Sequence, residues 1–126
     1  MASILIVEDS PDNMKLFSTL LRLKGHEITG IIGGDDLFAT LTRQRPDLIL
    51  MDIQMPGKDG YTLVGEIRGS EFHGQRVIAL TANAMAGDKE KALGAGFDGY
   101  ISKPIDIRLF PDQVALALEG KDPLGG

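Results

Sequence analysis

Three short apolar runs, ILIV at 4–7, LILM at 48–51 and VIAL at 77–80, are continuous rather than alternating. A strand with water on one face alternates apolar and polar side chains. A continuous run belongs to a strand covered on both faces, as in a parallel sheet. Weaker runs around 28–32 and 100–101 supply two further strands. Between the runs the apolar residues recur at helical spacing. Met14, Phe17, Leu20, Leu21 and Leu23 mark one helix, Leu37, Phe38 and Leu41 the next, and Tyr61, Leu63, Val64 and Ile67 a third. The pattern is strand then helix, five times over. It predicts an α/β sheet with right-handed crossovers and helices on both faces.

The punctuation agrees. Ser10 before Pro11 reads as a helix N-cap with proline at the first helical position. Gly25 is expected to end that helix, and Asp35 to cap the second. A fourth helix is expected over 84–95 with Gly96 beyond it, and a fifth up to about Glu119. Pro111 either starts that last helix or lies in its first turn, since proline breaks a helix interior. Residues 1–120 form one domain in this reading and 121–126 a flexible tail.

With 126 residues the chain has the size of one domain and needs no disulfide or metal staple. It has no cysteine, which excludes disulfides, thiol catalysis and Cys-ligated zinc. A net charge of -5 argues against direct nucleic-acid binding and against an anionic membrane as partner. The four-residue run at 4–7 is too short for a signal peptide, and no run approaches the ~18 residues of a membrane span. These features predict a soluble, cytoplasmic protein.

In a sheet of this kind ligands gather at the carboxyl ends of the strands. Glu8 and Asp9 follow the first run, Asp52 the third, Thr81 the fourth, and Lys103 the fifth. Taken singly, each has an ordinary reading: helix start, loop charge, turn cap, strand end, solvated lysine. Together they bring three carboxylates, a hydroxyl and an ammonium to one edge. Two unit charges about 4 Å apart repel by roughly 4 kcal/mol at an effective dielectric near 20. A hard divalent cation relieves such a group, and oxygen donors suit magnesium, which keeps waters and shares phosphate oxygens. A carboxylate nucleophile beside a cation, an ammonium and a hydroxyl fits phosphoryl transfer onto Asp52.

The motifs LIVEDS at 5–10, DLILMDIQMPGKDG at 47–60, LTANA at 80–84 and ISKPID at 101–106 resemble the receiver domains of two-component response regulators, the chemotaxis-regulator-like family. The resemblance runs from residue 3 to about 119. It implies a flavodoxin-like (βα)5 fold with strand order 2-1-3-4-5. It implies Asp52 as phosphoacceptor, Asp9 as a direct magnesium ligand, Glu8 acting largely through water, and the Gln54 backbone carbonyl as a further ligand. Manganese is an alternative metal. Thr81 and Lys103 are implied to bind phosphate oxygens, with Thr81 and Tyr100 as the switch pair and a cis peptide before Pro104. Gln54 and Asn83 are implied to tune the phosphoryl lifetime. The donor is implied to be a histidine kinase or a histidine phosphotransfer protein. Output passes to a downstream protein target, with a phosphorylation-dependent homodimer left open. The chain is then a switch rather than an enzyme, read first as a stand-alone regulator and second as the N-terminal receiver of a longer one.

Other functions fit less well. An aspartate-nucleophile phosphatase needs a second acid where Gln54 stands, and a cap domain. A flavodoxin-type carrier needs a Ser/Thr-rich phosphate loop after the first strand, where two acids stand instead. A pseudo-receiver has no use for the complete acid, Thr and Lys set. His26 and His73 lie in separate loop-like regions and read as loop residues rather than ligands or phosphodonors.

Overall fold

The computed structural model describes residues 2–82 and 87–124. Among these, strands and helices alternate: β1 (Ser3–Val7), α1 (Pro11–Arg22), β2 (Glu27–Ile31), α2 (Leu37–Gln44), β3 (Leu48–Asp52), α3 (Gly60–Arg68), β4 (Val77–Thr81), α4 (Asp88–Ala95), β5 (Gly99–Ser102) and α5 (Phe110–Leu118). All pairings are parallel, and the sheet order is β2-β1-β3-β4-β5, as the family resemblance implied.

The continuous runs feed two cores. Leu5, Val7, Ile49, Met51, Val77 and Ala79 pack on one face with Leu37 and Leu41 of α2, Leu63, Val64 and Ile67 of α3, and Ala92 of α4. Ile4, Ile6, Leu48, Leu50, Ile78 and Leu80 pack on the other with Phe17 and Leu21 of α1 and Phe110 and Val114 of α5. Successive strand residues point to opposite faces, so a strand buried on both sides must be apolar at every position. Each fully buried aliphatic side chain contributes about 1.5–3 kcal/mol. The Phe17 and Phe110 rings, 5.3 Å apart, join α1 to α5 across the second core.

Local signals hold with adjustments. Ser10 caps α1, its Oγ accepting from the Asn13 N–H at 3.3 Å, with proline in the first turn. The helix stops at Arg22, before Gly25, which takes φ 87° in the following turn. The residue before α2 is Asp36, not Asp35, and its side chain makes no cap bond. Pro111 lies in the first turn of α5, which begins at Phe110. α4 begins at Asp88 after Gly87, and the part of its expected span at 84–86 lies outside the described residues, as does Asn83. Of the segment set apart as a tail, residues 121–124 are described: Pro123 is buried and Asp122 pairs with Lys89. Among the described residues, no helix is long and apolar enough to cross a membrane.

Candidate functional site

The parallel register brings the strand ends to one edge. Val7 lies beside Met51, Asp52 beside Leu80, and Thr81 beside Ser102. Glu8 therefore emerges level with Asp52, Thr81 one residue further along and Lys103 two.

Glu8 follows β1 and is only 1% exposed, so its reading as a solvated loop charge does not hold. Its Oε2 accepts from the Ser10 N–H at 3.2 Å, and its Oε1 lies 2.7 Å from the Lys103 ammonium. Asp52 ends β3 and is 3% exposed. Its Oδ1 accepts from the Gln54 N–H at 3.1 Å and its Oδ2 lies 3.2 Å from Lys103 Nζ. Lys103 thus spans two buried carboxylates. Its own backbone is fixed from β4, because its N–H donates to the Thr81 carbonyl at 2.7 Å. The Lys103–Pro104 peptide is cis. Thr81 is buried at the end of β4. Tyr100 is half-buried on the α2–α4 side of the sheet. His26 and His73 precede β2 and β4, at the opposite edge.

One carboxylate oxygen from each of Glu8, Asp9 and Asp52 lies within 4.8 Å of the other two. Glu8 Oε1 is buried, and the Lys103 ammonium lies 2.7 Å from it. Hard oxygen donors gathered this closely suit a small divalent cation. Beside them a cavity of about 440 Å³ opens, lined by Gln54, Met55, Tyr61, Thr81, Asp88 and Lys91 among others. The Lys91 ammonium lies 4.8 Å from the centre of the Tyr61 ring on its rim.

Burial pushes the Asp52 carboxyl up to about 6, and the hydrogen bond and charge of Glu8 add to the rise. Burial also raises Glu8, but the hydrogen bonds and charge around it, led by Lys103, hold it below its ordinary value. Of the two buried acids, Asp52 is thus the harder one to ionise.

This has a consequence for stability. An acid whose folded pKa lies above its unfolded value costs nothing below the unfolded pKa. It costs increasingly as pH climbs through the interval, and fully above the folded pKa. For Asp52 that interval runs from the model-peptide value of 3.8 to about 6. Asp52→Asn removes the cost while leaving an oxygen for the Gln54 N–H. Without divalent metal, the variant is expected to melt above wild type at pH 7.5, by about 3–8 °C for a gain of about 1–2 kcal/mol. The difference should close by pH 4. Thermal melts across that range check it, and a gap that widens toward acid pH contradicts the assignment.

One positioning residue has no signal in the sequence. Gly60, the first residue of α3, donates its N–H to the Ile53 carbonyl at 2.9 Å. A Cβ there would lie 2.8 Å from both the Asp52 carbonyl oxygen and the Ile53 Cα. Next to Asp59 it reads as an ordinary turn glycine; only the fold shows the close approach.

The response regulator receiver domain model matches residues 4–115. Over 113 residues the chain is 40% identical to the polar-differentiation response regulator DivK of Brucella anthropi, a match covering 89% of this chain and 92% of DivK. It is 39% identical over 109 residues to the sensor protein GacS of Pseudomonas syringae pv. syringae, covering 83% of this chain but only 12% of GacS. Among solved structures, the receiver domain of sensor histidine kinase PA1611 from Pseudomonas aeruginosa PAO1 matches with a TM-score of 0.83 and 37% identity, over 94% of this chain and 98% of that one. That domain holds a magnesium ion coordinated in its active site cleft. Fold, acidic edge and sequence therefore agree, and the chain belongs to the response regulator receiver domain family of two-component signalling.

Proposed function

We propose that Asp52 accepts a phosphoryl group in a magnesium-dependent reaction, and that the phosphorylated domain signals by protein contacts. The observation that carries this is the trio Glu8, Asp52 and Lys103. Two buried carboxylates share one ammonium, with a third carboxylate, Asp9, within reach of the same point.

The roles follow from chemistry. An Asp52 carboxylate oxygen attacks phosphorus, and the bond from phosphorus to the donor's leaving group breaks, giving a mixed acyl phosphate. Glu8, Asp9, Asp52 and the Gln54 carbonyl would hold the metal, and magnesium, or manganese in its place, would supply charge neutralisation for the carboxylates and the transferring group. Lys103 is already between Glu8 and Asp52 and is placed to pair with a new anion. The Thr81 hydroxyl donates to a phosphoryl oxygen. Thr81 and Tyr100 then form the switch, in which the phosphate favours one of two existing arrangements.

The donor is a histidine kinase or histidine phosphotransfer protein in the cytoplasm, and the chain catalyses only its own phosphorylation and dephosphorylation. The net charge of -5 supports output through a protein target rather than through nucleic acid.

The test is intact-protein mass after incubation with magnesium and acetyl phosphate. Wild type is expected to gain one phosphoryl group, and Asp52→Asn or chelator-treated protein none. Addition that survives in the variant means another nucleophile. No addition in wild type removes the switch reading.

A further inference from the structure

The residues after α5 are tied back onto the fold. α5 ends in a left-handed glycine turn: Gly120 has φ 81°, its N–H donates to Ala117, and the Lys121 N–H donates to Leu116 at 2.9 Å. This paired bonding stops the helix and reverses the chain. Arg76, just before β4, then holds the reversed segment, donating from Nη2 to the Lys121 carbonyl at 2.9 Å and from Nε to Ala117. Asp122 shapes the next turn by accepting from the Leu124 N–H at 2.9 Å. Pro123 is buried against Gly99, where a Cβ would come within 3.0 Å of its ring. From this seat the other Asp122 oxygen, Oδ2, reaches Lys89 Nζ at 3.0 Å.

Lys89 is the second residue of α4. Of that helix's side chains only Ala92 is buried and its cap residue Gly87 offers no side-chain bond, while Lys91 lies over the Tyr61 ring. Asp122 raises the Lys89 pKa by hydrogen bond and charge, and Tyr100 adds to the rise, so the bridge lies close enough to Tyr100 of β5 to feel it.

We infer that residues 121–124 are a strap that holds α4 in its resting position and opposes the phosphorylated state. The inference rests on the function proposed above. α4 is joined through 82–87 to Thr81, at the phosphoryl site. The strap is anchored at the other edge of the sheet, to Arg76 and Gly99, which precede or begin their strands. In this proposal a displacement of α4 that follows Thr81 lengthens the Lys89–Asp122 bridge, whose acid is fixed to the other edge. A contact made in only one of two states biases the equilibrium by its own free energy. A partly exposed ion pair of this kind shifts such an equilibrium by up to about fivefold.

The experiment is a titration with beryllofluoride, a phosphoryl analogue, in the presence of magnesium, followed by NMR of wild type, Lys89→Ala, Asp122→Ala, the double variant and Asp122→Glu. Each alanine variant is expected to bind about twofold to fivefold more tightly than wild type. The double variant should gain no more than either single one, because the pair acts as a unit. Asp122→Glu should return toward wild type. Hydrogen exchange should quicken at α4 amides in the unliganded alanine variants and stay unchanged in β3. Equal affinity in wild type and both single variants overturns the strap while leaving the phosphoacceptor intact. Wild type that takes up no beryllofluoride overturns the phosphoacceptor and the strap with it.

Discussion

Lys103→Met is expected to lower the melting temperature of the metal-free protein by roughly 10 °C at pH 7.5, and by much less at pH 5. The Lys103 ammonium lies 2.7 Å from Glu8 and 3.2 Å from Asp52, and both carboxylates are nearly inaccessible to water. Removing one partner of a buried ion pair costs about 3–5 kcal/mol, because the remaining charge has lost its compensation. Here two charges remain and repel each other. The lower end of that range applies, since one carboxylate can take up a proton. For a domain of this size, about 3 kcal/mol corresponds to a shift on the order of 10 °C. The pH dependence carries the diagnosis. Without the lysine Asp52 rises further above its unfolded value and Glu8 loses the charge that holds it below its own, and a raised acid pKa costs stability only above the unfolded pKa. The deficit should therefore shrink as pH falls through about 6, the Asp52 value, toward 4. Adding magnesium at pH 7.5 should also narrow it, since a cation bound only by the folded protein stabilises by mass action. A deficit unchanged by pH and magnesium would locate the effect in the packing of the lysine methylenes instead.

How far these features were legible beforehand differs from residue to residue. The strands were legible because burial on both faces leaves an unbroken apolar run, which few other environments demand. Asp52, Thr81 and Lys103 were legible because strand ends at a parallel edge are predictable once the strands are. Ser10 with Pro11 was legible as a local cap. Glu8 was legible as an acid of this edge, but its burial was not, because nothing in its neighbours reveals that its side chain lies against Lys103, 95 residues later in the chain. Asp35 and Asp36 are adjacent acids, and the sequence alone does not say which precedes α2; the position is set by Leu37 entering the core. Residues 121–126 read as a tail because Lys, Asp, Pro and Gly usually make one. Their anchors, Arg76 and Lys89, are 45 and 33 residues distant and cannot be inferred from local composition.

Two glycines of one helix should respond to alanine with opposite signs. Gly65 of α3 is exposed, and a Cβ there would meet nothing within 4 Å. Glycine in a helix is roughly 0.5–1 kcal/mol less favourable than alanine, so Gly65→Ala should raise stability by about that amount. It should leave magnesium affinity as it is. Gly60 begins the same helix, and its new methyl would lie 2.8 Å from the carbonyl oxygen of Asp52 and from the Ile53 Cα. Both neighbours are backbone, so no side chain can swing aside. Overpacking of this kind costs about 1–3 kcal/mol, relieved only by moving the end of β3 or the start of α3. Either movement changes the link from the Gly60 N–H to Ile53, and with it the segment that presents Asp52 and Gln54. Gly60→Ala should therefore lose about tenfold or more in magnesium affinity, equivalent to about 1.4 kcal/mol, and slow acetyl phosphate labelling of Asp52. A magnesium titration followed by NMR on both variants decides it. If Gly60→Ala is destabilised but binds magnesium like wild type, the strain has been absorbed within α3 and the glycine serves packing alone. If affinity falls in Gly60→Ala and holds in Gly65→Ala, the distance between the first residue of α3 and the last residue of β3 is what keeps Asp52 in register with the acids that follow β1.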